Sequence, residues 1–107
     1  MKDLQKKREA AVLYHIWSNK TLSRGRLSQI LVLKPPTVSA LVTSLIKAGR
    51  LREGKLADSS GGRRAKLLEI VPSWGWVIGV EFSSKGIVST SADMTGEFFN
   101  IKRTYFI

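Results

Sequence analysis

The first half of the chain carries apolar residues at the three- and four-residue spacing of amphipathic helices. The first stretch predicts a helix over residues 4–17. A second begins at Ser23, a preferred helix N-cap, and runs to residue 31. A third opens with Pro35 and Pro36, where proline loses no intrahelical bond, and Gly49 is expected to end it. The three stripes consist of Val12, Leu13, Ile16 and Trp17; of Leu27, Ile30 and Leu31; and of Val38, Leu41, Val42, Leu45 and Ile46.

The outward face of the third predicted helix differs from an ordinary solvated face. Glu and Lys would normally dominate such a face, whereas small hydroxyls and alanine let the helix backbone approach another surface closely. The alternative is an ordinary core helix with a polar outer side. The residues of this face are Thr37, Ala40, Thr43, Ser44 and Lys47, with Ser39 beside them.

From Leu51 onward the apolar period falls towards two, which predicts strands. The first two strands form a hairpin around a glycine-containing turn, and Pro72 marks a boundary after them. The fold class is therefore predicted to be α+β, with a winged helix-turn-helix of three helices and a β-hairpin wing over residues 1–72. A short antiparallel β segment follows over residues 73–107. The predicted strands are residues 51–57 and 65–71 in the hairpin, and 76–82, 86–92 and 96–105 beyond the boundary.

Positive charge is concentrated in the same part of the chain. The 107 residues carry a net charge of +10, and residues 1–72 hold 15 Lys and Arg against 5 Asp and Glu. Residues 73–107 hold three of each and are neutral. No acidic residue occurs between Ala10 and Arg52. This asymmetry is typical of a segment that meets a polyanion, with a merely basic solvated surface as the alternative.

A helix-turn-helix with these properties predicts contact with double-stranded DNA. A recognition helix enters a major groove about 12 Å wide, so short side chains are expected where the approach is closest. Contacts with bases and the groove are predicted for Lys34, Pro36, Thr37, Ser39 and Ala40. Contacts with phosphates are predicted for Ser23, Arg24, Arg26, Thr43, Ser44 and Lys47, together with helix N-termini.

The hairpin is predicted to be a DNA-binding wing. Its glycines let the backbone approach the duplex, and its arginines suit a narrow, A·T-rich minor groove. The alternative is a plain solvent-exposed turn. The wing residues are Lys55, Gly61, Gly62, Arg63 and Arg64.

Two parts of the sequence resemble the ROK family (repressor, open reading frame, kinase). The first resembles the family's N-terminal DNA-binding domain, and the second resembles the first strands of its actin-like sugar-kinase domain. The resemblance implies a cytoplasmic bacterial repressor that binds operator DNA as a homodimer, often at sugar-metabolism genes. The first part includes Leu22-Ser23-Arg24, Pro36-Thr37-Val38-Ser39, Ala48-Gly49, Glu53, Gly54 and Gly61-Gly62-Arg63, and the second includes residues 76–81 and 93–97.

The chain also departs from the family pattern. Val32 stands where glycine is common in the turn, Lys34 replaces a small cap, and Arg64 stands where proline often follows. The segment 81–85 lacks the glycines of the family's phosphate loop, so kinase activity is not expected. A sugar effector is doubtful, because the 107 residues stop before the family's sugar-binding and zinc motifs.

The sequence gives little support for an enzyme or for a membrane-binding protein. His15 is the sole histidine, and the chain has no cysteine and no carboxylate cluster, so no enzyme, cofactor or metal site is expected. No apolar run approaches a membrane span, and no amphipathic helix suited to an anionic membrane stands out. The remaining alternative is a protein-interaction or dimerisation module with only non-specific nucleic-acid affinity. Apolar residues at the C-terminal end favour it, namely Phe98, Ile101, Tyr105, Phe106 and Ile107.

Overall fold

The computed structural model describes residues 2–58 and 62–106, and the chain divides into two compact units, Met1–Val71 and Pro72–Ile107. The first unit contains three helices and a small sheet, and the second contains a three-stranded sheet, so the predicted α+β class is confirmed. The first unit consists of α1 (Lys2–Asn19), β1 (Thr21–Ser23), α2 (Arg24–Leu31), α3 (Pro35–Lys47), β2 (Leu51–Leu56) and β3 (Lys66–Ile70). The second consists of a short 3₁₀ helix (Pro72–Trp74), β4 (Trp76–Ser83), β5 (Gly86–Asp93) and β6 (Phe98–Tyr105).

The core of the first unit is built from the predicted helical stripes and the inward residues of the sheet. Trp17 was expected in the stripe of α1, but 51% of it is exposed. At about 100° per residue, Trp17 lies about 120° from the midpoint between Val12 and Ile16, which are both fully buried. The buried apolar residues of this unit are Val12, Ile16, Leu22, Leu27, Val38, Leu41, Val42, Leu45, Leu51, Leu68 and Ile70.

The sheet of the first unit contains one strand that the periodicity did not predict. The strand order is β1-β3-β2, and both pairings are antiparallel. In β1, Leu22 pairs with Leu68, and both side chains are buried. Lys20, at φ 70°, turns the chain sharply out of α1 into this strand. The wing therefore closes against the chain just before α2.

The turn between α2 and α3 is held by its own backbone. Val32 adopts the left-handed conformation at φ 53° and ψ 49° and donates its N–H to the Ser28 carbonyl. The Leu33 N–H donates to the same carbonyl at 3.2 Å, while the Ser28 hydroxyl donates to the Leu33 carbonyl. These bonds reverse the chain where the sequence pattern places the turn.

The end of α3 follows the predicted glycine stop. Gly49 has φ 76°, and its N–H donates to the Ile46 carbonyl at 2.9 Å. The Arg50 N–H donates to the Leu45 carbonyl at 3.0 Å. This pair of bonds is a Schellman motif, which satisfies the last helical carbonyls and directs the chain into β2.

The second unit is a meander in the order β4-β5-β6, with both pairings antiparallel. The last strand begins at Phe98, two residues later than predicted, because the Asp93 carboxylate organises a turn before it. Asp93 Oδ1 accepts bonds from the Thr95 N–H at 2.8 Å and the Glu97 N–H at 3.2 Å. Hydrogen bonds to the carboxylate, above all from the Thr95 side chain, hold the pKa of Asp93 below its ordinary value.

Candidate nucleic-acid interface

The outer face of α3 is a continuous strip of exposed residues. At about 100° per residue, the five residues of this strip fall within roughly 50° of one line along the helix. None is acidic, and the only long side chain is Lys47, at the C-terminal end of the strip. The strip contains Pro36, Ser39, Ala40, Thr43 and Lys47, all exposed.

Two predicted members of this face lie at its shoulder instead. Thr37 and Ser44 are half-buried on the side of α3 that packs against α1. The Ser44 hydroxyl donates to Glu9 Oε1 at 3.2 Å, and Gln5 Nε2 donates to the same oxygen at 3.0 Å. The predicted face is therefore too wide, because the sequence did not indicate where α1 would pack. Phosphate contact by Ser44 stays a prediction that would require this bond to rearrange.

The N-terminus of α3 offers few free amide donors. Pro35 and Pro36 have no N–H, and the N–H groups of Thr37 and Val38 donate to the Lys34 carbonyl at 3.0 and 3.1 Å. The Lys34 side chain makes no capping bond and is exposed, so it is available to a ligand. At this end of α3, the lysine side chain rather than the backbone amides is placed to meet an anion.

The predicted phosphate contacts at the start of α2 already have protein partners. Ser23 caps the helix, because its Oγ accepts from the Arg26 N–H at 3.1 Å. Arg26 Nη1 donates to Gln29 Oε1 at 3.0 Å. Arg24 Nη2 lies 3.3 Å from Glu53 Oε1. DNA contact by either arginine would therefore replace or share an existing hydrogen bond.

Glu53 is the main acidic residue of the site, although the sequence pattern predicted no role for it. Its second oxygen, Oε2, lies 3.4 Å from Lys66 Nζ. The hydrogen bond from Lys66 has the largest effect and lowers the pKa of Glu53. Desolvation opposes it, and the hydrogen bond from Arg24 then adds a lesser lowering effect. Its position as the first acid after a long basic run was a signal, but its partners depend on how the hairpin folds back.

The wing and the start of α2 enclose a groove of about 850 Å³. The predicted wing residues Arg63 and Arg64 line it and are both exposed, and Lys55 lies exposed on β2. A Cβ atom added at Gly62 would meet no atom within 4 Å. Gly61 lies outside the described residues, and its predicted role stays a prediction. The groove is lined by Arg24, Gly25, Glu53, Leu56, Arg63, Arg64, Ala65 and Lys66.

Other kinds of site find no support in the residues that the structure describes. Across residues 2–58 and 62–106, no group of three or more His, Asp or Glu side chains is arranged to hold a metal ion. None of the helices in these ranges is long and apolar enough to cross a membrane by itself. Only α2 and α3 taken together have the length and composition of a membrane span, and they are separated by a bend of 116°.

Comparison with known proteins gives relatives in sequence and in structure, although no protein-family model matches. The chain is similar to a putative xylose repressor of a Caldicellulosiruptor species, with 35% identity over 86 residues, which cover 80% of this chain and 22% of that protein. The xylose repressor of Caldicellulosiruptor bescii is 36% identical over 86 residues, with the same shares covered. That of Bacillus spizizenii is 31% identical over 93 residues, covering 87% of this chain and 24% of the relative.

The fold is similar to the crystal structure of a ROK-family transcriptional regulator, a homologue of the E. coli MLC protein. The TM-score is 0.58 at 20% identity, and the match covers 79% of this chain and 22% of that one. The first unit is thus a winged helix-turn-helix, as predicted. Together, the sequence relatives and the fold confirm the resemblance to the ROK family. The chain spans 22 to 24% of the length of the curated relatives described above.

Proposed function

We propose that the first unit binds double-stranded DNA as the reading part of a transcriptional repressor. The observation that carries the proposal is the exposed strip of α3, which is free of acidic residues and narrow enough to approach the base edges of a major groove. Beside it, the groove between the wing and α2 collects four basic side chains around one carboxylate. Net charge and shape therefore favour the same polyanionic partner.

In this proposal each part of the surface has its own task. Ser39 and Ala40 face the bases, and Lys34 and Lys47 reach phosphates at the two ends of α3. Arg63 and Arg64 enter the neighbouring minor groove, where a narrow A·T-rich tract concentrates negative potential. Arg24 exchanges its bond to Glu53 for a phosphate, so binding includes the breaking of an ion pair already present.

The names of the relatives support a regulatory role. Three similar proteins carry the name xylose repressor, and the structural relative is a transcriptional regulator. We therefore propose repression of sugar-metabolism genes, in the bacterial cytoplasm, for the protein that contains this chain. No enzymatic step is assigned to the 107 residues.

Binding of the full chain to random-sequence duplex tests the proposal. Fluorescence anisotropy at several salt concentrations is the measurement, followed by selection of bound sites from random DNA. Six to ten phosphate contacts should weaken binding by about 10³–10⁵ between roughly 50 and 200 mM salt. Absence of binding at 50 mM salt would remove the proposed function, and enrichment of no sequence would reduce it to non-specific affinity.

We also propose that the second unit joins two copies of the chain. Its sheet has two edge strands, β4 and β6, and both are exposed along their whole length. Trp76, Ile78, Val80 and Phe82 alternate along β4 and so share one face of it, and each is more than half exposed. Exposed apolar edge strands tend to pair with another strand. Sedimentation equilibrium at high micromolar concentration should give a dimer, and a clean monomer would contradict this second proposal.

A further inference from the structure

A second groove, of about 360 Å³, lies between the N-terminal half of α1 and the shoulder of α3. Thr37 and Ala40 contribute to it from α3, so it borders the exposed strip directly. No residue of α1 was predicted from the sequence to contact DNA. The groove is lined by Leu4, Gln5, Arg8, Thr37, Ala40 and Leu41.

Arg8 is the one cation in the lining of this groove. It is half-buried, and it forms no hydrogen bond or ion pair with another residue in the parts of the chain that the structure describes. The nearest acid along the helix, Glu9, uses Oε1 to accept bonds from Gln5 and Ser44. A guanidinium has five N–H donors and keeps its charge at any physiological pH, so Arg8 is placed to receive an anion from outside.

The geometry of a groove-bound helix supplies that anion. An α-helix with its side chains is about 10–12 Å across, and the major groove is about 12 Å wide. Once α3 lies in the groove, its shoulders therefore face the phosphates on the two walls. Thr37 lies about 60° around α3 from Ala40, on the shoulder towards α1. Arg8 shares its groove with both residues, so it lies where the phosphates of one wall would pass.

We infer that Arg8 is a further DNA-contacting residue, which donates from its guanidinium to a backbone phosphate on the α1 side of the major groove. The inference rests on the proposed function and adds the first helix to the interface. The bond from Ser44 to Glu9 joins α3 to α1 next to Arg8, so the position of Arg8 is fixed relative to α3. Because a phosphate contact carries no sequence information, Arg8 sets affinity and register rather than base preference.

The test compares Arg8→Gln with Lys6→Gln in the full chain. Each change removes one positive charge from α1, and each retains a polar side chain of moderate length. Lys6 is exposed and lies about 160° around the helix from Arg8, so it faces away from the groove. The two variants have the same net charge, and any difference between them reports position.

Arg8→Gln is expected to weaken binding to random duplex about tenfold at constant salt, as for one lost charge-assisted hydrogen bond. The slope of log affinity against log salt should fall in magnitude by about 0.9. Lys6→Gln should change affinity less than about twofold and leave the slope unchanged. Arg8→Lys restores the charge and should recover most of the slope, which a purely structural role of the arginine would not require.

The outcomes distinguish failure of the proposed function from failure of the inference about Arg8. If the unaltered chain shows no salt-dependent DNA binding, the proposed function itself fails. If that chain binds and both glutamine variants lose affinity equally, Arg8 has no special contact and the inference is overturned. Far-UV circular dichroism and the melting temperature serve as the folding check. If Arg8→Gln lowers the melting temperature and Arg8→Lys restores the melting temperature but not the salt slope, Arg8 is structural and the inference is wrong.

Discussion

Arg24 Nη2 lies 3.3 Å from Glu53 Oε1, which joins the first residue of α2 to β2 across 29 positions of sequence. The other oxygen of Glu53 lies 3.4 Å from Lys66 on β3. One carboxylate thereby connects the helix-turn-helix to both strands of the wing. It also holds two cations that a phosphate would otherwise attract, so under the proposed function the same residue is expected to affect both stability and DNA affinity.

The first prediction concerns the pH dependence of stability. Hydrogen bonds from Lys66 and Arg24 hold the pKa of Glu53 below its ordinary value of 4.5. A lowered pKa in the folded state means that the ionised form contributes stability above pH 4.5, and that this contribution disappears as pH falls through the folded value. Glu53→Gln should therefore melt below the unaltered chain at neutral pH, and the gap should close on acidification.

Thermal unfolding followed by circular dichroism between pH 7 and pH 3 measures this gap. Glu81→Gln, at another exposed strand glutamate, is the control and should show no comparable gap at neutral pH. A gap for Glu53→Gln that stays constant down to pH 3 would show that the ion pairs do not stabilise the fold.

The second prediction tests the exposed strip of α3. Thr43→Glu places a negative charge at the centre of the strip, where it would face DNA phosphates, and like charges across an interface are strongly unfavourable. Affinity for random duplex should fall at least about 100-fold. Ala10→Glu adds the same charge to an exposed position on the far side of α1 and should cost less than about threefold. Equal losses in anisotropy titrations would mean that only net charge matters.

The third prediction concerns the turn between the helices. Val32 has a φ of 53° and is 86% exposed, so it bears left-handed strain without contributing burial. That conformation costs an L-residue roughly 1–2 kcal/mol. Glycine does not carry this penalty, but its greater freedom in the unfolded chain lowers stability by about 0.5–1 kcal/mol. Val32→Gly should stabilise the first unit by about 0.5–1 kcal/mol and raise its melting temperature by roughly 3–6 °C.

Val32→Ala separates strain from side-chain effects in the same experiment. Alanine keeps the Cβ atom that causes most of the left-handed penalty, so its melting temperature should stay close to that of valine. If alanine stabilises as much as glycine, the strain does not reside in the backbone conformation.

The fourth prediction concerns the wing. Replacing Arg63 and Arg64 together by alanine should weaken binding about 10- to 100-fold, with the larger loss on A·T-rich sites because their narrow minor groove attracts arginine. The matched control is the double change of Lys6 and Lys7 to alanine, which removes two adjacent exposed positive charges from α1. Titration of A·T-rich and G·C-rich duplexes measures both. Equal losses for the two double variants would remove the wing from the mechanism.

Helical periodicity was sufficient to predict α1, α2 and α3, because each buries a stripe whose spacing is visible in the sequence. It was insufficient for β1, which has three residues and pairs with β3 more than 40 positions later. A strand this short gives no period, and its pairing becomes visible only once the hairpin is placed. The position of Trp17 outside the core shows a related limit, since a stripe predicts a face but not its edges.

The residue types of the candidate interface could be predicted from the sequence. The contacts that its side chains make with the rest of the fold could not. The lack of acids and the small residues of α3 follow from composition. The burial of Ser44 against Glu9, and the engagement of Arg24 by Glu53, depend on contacts across 35 and 29 positions of sequence. Arg8 was missed for the same reason, because its relation to Thr37 exists only after α1 packs on α3.

The pairing of Leu22 with Leu68 affects the order in which the protein can fold. The chain between these residues contains all of α2 and α3, so both helices lie inside a loop that β3 must close. Helices form rapidly. Strand pairing across such a sequence separation is slow, because closing the loop costs conformational entropy. During synthesis, a nascent chain that has emerged only as far as β2 already contains α3 but lacks the strand that closes the loop. The first unit is therefore expected to complete its fold in one step, when β3 leaves the ribosome and docks.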